Sequence, residues 1–150
     1  MKSSTFLLLI ASLFLTGCMG KWMSNAIQDD GEQIPPLLGS TPDTLLAILY
    51  GSKGYDRALA ERMAENYNGP YKLVTQTELG EQYTDTILYR YVFDRETRIN
   101  NSGNTSCTFH VMDRQIQKKY HAHFATGLYG TLMKVYLRKL EIKRKANAGQ

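Results

Sequence analysis

The spacing of apolar residues changes at Asn68-Gly69-Pro70, from every fourth position before it to every second position in the stretch that follows. A period near 3.6 suits a helix with one buried face and a period of two suits a strand, so helices should precede a sheet. Tyr55, Leu59, Met63 and Tyr67 stand four apart among Arg57, Glu61, Arg62 and Glu65, which predicts an amphipathic helix over 55–67. An earlier helix is expected from Thr41, with Thr41 as N-cap, Pro42 at the first helical position and Asp43 in the first turn. Leu45, Leu46, Ile48 and Leu49 continue it and Gly51 ends it. Gly51-Ser52-Lys53-Gly54 then reads as a break between helices, since it lacks the residue order of a phosphate-binding loop.

Beyond Pro70, residues 71–77 and 84–93 are rich in Thr, Val, Ile and Tyr and read as strands on either side of a turn at 78–81. Asn100-Asn101-Ser102-Gly103 signals a loop. Residues 105–112 alternate, with Cys107, Phe109 and Val111 on one face and Thr108, His110 and Met112 on the other. Residues 114–125 fit two patterns. Ile116, Tyr120, Phe124, Leu128 and Leu132 keep a four-residue interval, as in one long helix, yet Ile116, Lys118, Tyr120, Ala122 and Phe124 also alternate as a strand. Gly127 and Gly130 would each cost a helix interior about 1 kcal/mol, which favours a hairpin near Asp113-Arg114 and a C-terminal helix from about Thr126. The expected fold is α+β: an antiparallel sheet of three or four strands with N-terminal helices and a basic C-terminal helix.

At the start of the chain, Lys2 precedes a ten-residue apolar stretch, Phe6 to Leu15. As a helix it would rise about 15 Å, roughly half of a hydrocarbon core, so it suits a signal-peptide apolar region and not a membrane span. Leu15-Thr16-Gly17-Cys18 follows, and this tetrapeptide resembles the lipobox of bacterial lipoproteins. The resemblance implies that residues 1–17 are removed and that Cys18 carries a diacylglyceryl group on its sulfur and usually a further acyl chain on its amine. Three chains, each contributing about 0.8 kcal/mol per buried CH₂, would hold the protein on its membrane. Residue 19 is Met and not Asp, which the resemblance associates with export to the outer membrane, facing the periplasm. Residues 18–41, interrupted by Gly, Asp and Pro, are then expected to form the lipidated N-terminus and a tether that packs in part, and 42–150 a single periplasmic domain.

The charge is uneven. Between residues 114 and 150 Glu141 is the one acidic residue, whereas Lys134, Arg138, Lys139, Lys143, Arg144 and Lys145 crowd the expected last helix. Three causes fit: complementing the helix dipole, contact with anionic lipid head groups, or an acidic envelope protein or glycan as partner. Nucleic acid is not an expected partner, because an exported lipoprotein does not meet it. His110, His121 and His123 are candidate nitrogen ligands for zinc or copper, with His121 and His123 on one face if 116–124 is a strand. With Cys18 acylated, Cys107 lacks an intrachain partner, and its place beside Phe109 and Val111 predicts burial. The ten tyrosines are expected mostly at the core and its edge.

No Gly-x-Ser-x-Gly or His-Glu-x-x-His pattern occurs, and no catalytic residue or cofactor is expected. These features describe a non-catalytic lipoprotein that presents a small binding domain, with a metal- or small-ligand-binding sensor as the alternative. Mass spectrometry of the protein recovered from membranes is expected to find a chain beginning at Cys18 with acyl groups attached there. An unmodified Cys18 thiol would remove the anchor.

Overall fold

The computed structural model describes residues 20–99, 101–103 and 105–149. Its architecture is α+β, built on five strands: β1 (Leu45–Leu49), β2 (Tyr71–Thr75), β3 (Tyr91–Ile99), β4 (Thr105–Asp113) and β5 (Lys118–His121). The helices are α1 (the described residues 20–26), α2 (Lys53–Asn66), α3 (Gln76–Glu81) and α4 (Tyr129–Ala148). The sheet order is β2-β1-β3-β4-β5. Strand β1 runs parallel to both β2 and β3, whereas β3-β4 and β4-β5 are antiparallel. The sheet is therefore mixed and five-stranded, not the antiparallel sheet of three or four strands that the periodicity suggested.

The extra strand comes from the segment expected as a first helix. Leu45 to Ile48 are all buried, because β1 is flanked by strands on both edges and covered on both faces. A strand buried on both faces has no polar alternation to display, so its apolar run looks like part of a helix. The expected cap residues turn on each other instead: the Thr41 hydroxyl donates to Asp43 Oδ2 at 2.7 Å. Gly51, with φ of 73°, then joins β1 to α2, so the Gly51–Gly54 break follows a strand and not a helix.

Two other boundaries moved. The turn expected at 78–81 belongs to α3, whose start is closed by a capping box in which Thr75 and Glu78 exchange hydrogen bonds. The strand expected from Thr84 begins only at Tyr91. Asp85 Oδ1 accepts from the N–H groups of Ile87 and Leu88, which holds this stretch in a turn despite its β-prone composition. The hairpin at Asp113-Arg114 and a separate C-terminal helix are present, with β5 confined to residues 118–121.

One sheet face carries the main core. Ala47, Phe93, Cys107, Phe109 and Val111 meet Leu59 and Met63 of α2 and Leu132, Tyr136 and Leu140 of α4. Met23, Ile27, Ile34 and Leu38 are buried in the same core, so much of the segment expected as a tether is packed into the domain. The opposite face carries a smaller cluster in which Leu79 of α3, Tyr83, Tyr89 and Met112 pack with Leu46, Ile48, Val74 and Val92. No described helix is long and apolar enough to cross a membrane.

The Tyr136 hydroxyl lies within hydrogen-bond distance of two buried carbonyls, Gln33 O at 2.6 Å and Tyr120 O at 2.7 Å. It joins α4 to both the N-terminal segment and β5. A Tyr136→Phe variant keeps the ring packing and leaves those carbonyls without this donor. We expect it to lose about 1–3 kcal/mol of unfolding free energy, read as a lower urea midpoint with an unchanged slope.

Candidate functional site

The basic residues of α4 serve two different ends. Lys143 Nζ pairs with Asp29 at 3.1 Å, and Arg144 and Lys145 both pair with Glu141, at 2.9 and 3.3 Å. Glu141 also accepts from the backbone N–H of Asn68, just past α2. These three cations therefore hold α4 to the N-terminal segment and neutralise a buried carboxylate. Burial alone would push the Glu141 carboxyl up, but the Arg144 hydrogen bond, the Asn68 N–H and Lys145 outweigh it and hold the pKa at about 2.

Lys134, Arg138 and Lys139, by contrast, line a groove of about 720 Å³ with Lys21 and Ser24 of α1 and Arg62 of α2. Helical spacing explains the grouping, since positions 134 and 138 are four apart and 139 is beside them. Arg138 Nε donates to Asn66 Oδ1 at 2.8 Å, and Arg62 pairs with Glu65 at 2.6 Å, so both guanidinium groups are oriented. Among the described residues Lys21, Lys134 and Lys139 form no ion pair. Val135 and Ile142 supply apolar wall, and Ile142 is 64% exposed. Such a surface can hold phosphate or carboxylate through several cations while apolar groups sit beside it.

Gly20 also lines this groove, two residues after Cys18. Cys18 itself lies outside the described residues. Lys21 and Arg62 were not singled out in the sequence, because nothing in their spacing shows that α1 and α2 pack beside α4. Trp22 is exposed at the other side of α1, with its ring 5.4 Å from that of Phe124.

The three histidines separate. His110 and His121 are direct cross-strand partners in the β4-β5 ladder, with ring centroids 5.1 Å apart. His123 falls beyond the end of β5 and is exposed, its backbone N–H donating to Gln33 Oε1. Its expected place beside His121 is taken by Glu96 of β3: Glu96, His110 and His121 bring ligand atoms within 4.8 Å of one another. Folding the β3-β4 hairpin about residues 100–104 would have identified Glu96, since that register sets Asp94 opposite His110 and Glu96 on the neighbouring diagonal. Cys107 is buried against the main core, and burial pushes its thiol pKa up, away from the reactive thiolate.

No family model matches this chain, and no curated protein or solved structure matches it either.

The depressed Glu141 pKa carries a sign that can be measured. A carboxyl held below its ordinary value of 4.5 contributes stability above that pH and loses it as pH falls towards about 2. A Glu141→Gln variant is expected to be less stable than the parent at pH 7, on the order of 1–3 kcal/mol. The difference should narrow as pH falls from about 5 towards 2, as followed by urea titration at each pH.

Proposed function

We propose that this protein is a non-catalytic lipoprotein, anchored through acyl chains on Cys18 at the periplasmic face of the outer membrane. In this reading it binds anionic lipid head groups through the groove between α1, α2 and α4. The observation that carries it is the gathering of Lys21, Lys134 and Lys139, all without an ion-pair partner among the described residues, in one concave surface that includes Gly20. A residue advances the chain by at most about 3.8 Å, so an anchor at Cys18 keeps the lip of this groove within roughly 8 Å of chain from the lipid.

The arrangement also suits head groups better than a broad acidic protein surface. The cations converge on a cleft able to take a phosphate-bearing group, and exposed Ile142 at its wall matches the apolar level just below head groups. Each lysine near an anionic surface contributes on the order of 1 kcal/mol, and the anchor turns this weak attraction into a fixed orientation.

Vesicle binding separates the groove from the anchor when the chain begins at Met19 and so carries no acyl group. That protein should sediment with phosphatidylglycerol vesicles at ionic strength well below about 0.1 M, release well above it, and ignore neutral vesicles. Lys134→Glu with Lys139→Glu should weaken binding by tenfold or more at low salt. Binding unchanged by salt and by this double substitution would exclude the groove as a head-group site.

A further inference from the structure

On the sheet face turned away from α2 and α4, β3, β4 and β5 bring two imidazoles and a carboxylate together. We propose that Glu96, His110 and His121 form a site for a divalent transition-metal ion, zinc first, with a fourth coordination position open to solvent. Nothing in this inference depends on the basic groove, which lies across the sheet.

Three observations carry it. The first is the ladder itself. His110 and His121 are paired in register and Glu96 stands on the adjacent diagonal, so the backbone carrying all three ligands is fixed by sheet hydrogen bonds and does not depend on a loop. The ligand atoms now lie within 4.8 Å of one another. Tetrahedral zinc at 2.0–2.2 Å from each ligand sets them about 3.4 Å apart, a contraction that side-chain rotation supplies.

The second is a buried atom with nothing to bind. His110 is 3% exposed, and its Nδ1 is buried without a hydrogen-bond partner. The nearest carboxylate oxygen, Glu96 Oε1, stands at 3.9 Å, too far for a hydrogen bond. Buried polar side chains are normally satisfied, and a metal ion between Nδ1 and the carboxylate would satisfy this one.

The third is access. His110 lines a cleft of about 280 Å³ together with Asp94, Met112, Arg114 and Lys119. Glu96 and His121 do not line this cleft but are themselves partly exposed, so an ion reaches them from solvent. Two imidazoles and one carboxylate are a donor set used by zinc and by iron(II), and not one suited to calcium or magnesium, which take oxygen ligands. Lys119 Nζ pairs with the carboxylate, 3.0 Å from Glu96 Oε1. Its ammonium holds the place of a cation and swings outward when the metal enters, its side chain being 43% exposed.

The test uses the full chain purified in detergent, stripped with chelator and titrated with zinc chloride by calorimetry, with cobalt(II) chloride as the optical probe. One equivalent of zinc is expected to bind at micromolar or tighter affinity, and cobalt to give visible d-d bands. Glu96→Gln and His121→Ala, both at partly exposed positions that should fold, are each expected to weaken zinc at least tenfold. His123→Ala should leave affinity unchanged, and Lys119→Met should raise it by removing the competing ammonium. Absence of binding at micromolar zinc overturns the proposal. Equal affinity in the parent, Glu96→Gln and His121→Ala also overturns it, as does a loss caused by His123→Ala.

Discussion

The hydroxyl of Tyr136 sits at the point where three segments of this molecule meet. Its partners are carbonyls of Gln33, in the segment before the first strand, and of Tyr120, in the last strand. The ring is fully buried against Phe93, so the hydroxyl has no access to water and depends on those two groups. Register in β5, the path of residues 20–40 and the rotation of α4 are thereby tied together. Rotation of α4 in turn decides which of its cations face Glu141 and Asp29 and which face the groove.

The same packing divides the molecule into two sides. Helices α1, α2 and α4 cover one face of the sheet and form a basic groove at their junction, close in sequence to Cys18. On the other face Leu79 of α3, with Tyr83 and Tyr89 after it, packs on β1, β2 and Val92 of β3. Towards β5 this face carries an acidic and histidine-bearing ladder in which the Nδ1 of His110 is buried without a hydrogen-bond partner. A lipid-facing side and a side turned to the compartment would follow from these two surfaces, if the groove meets the head groups. In the two proposals the groove would bind by converging charge, and the ladder by ligand geometry.

Much of the fold was legible from periodicity wherever a segment has one wet face and one dry face. Helix α2, strand β4 with its two faces, and the hairpin into β5 all follow from such patterns, as does the burial of Cys107. Strand β1 was misread because burial on both sides erases the alternation that identifies a strand. The stretch 84–90 was misread for the opposite reason: its residues favour strands, but one carboxylate, Asp85, captures the backbone N–H groups and turns the chain. The site was legible in part. Lys134, Arg138 and Lys139 stand out in sequence only as part of a cation-rich last helix, in which Lys143, Arg144 and Lys145 look the same but are occupied by Asp29 and Glu141. His110 and His121 were identified as candidate ligands, whereas Glu96 was overlooked because its neighbourhood reads as an ordinary charged strand end.

What the sequence alone determined are the properties that depend on neighbours within a few residues: the periods, the cation-rich last helix and the resemblance of residues 15–18 to a lipobox. Tertiary structure decided the parallel pairing of β1, the docking of residues 20–40 into the core and the sorting of equal-looking cations. It also set Glu96 beside the paired histidines. These outcomes depend on which distant groups meet, and a charge or an imidazole acquires its role only from the partner that packing places within a few ångströms.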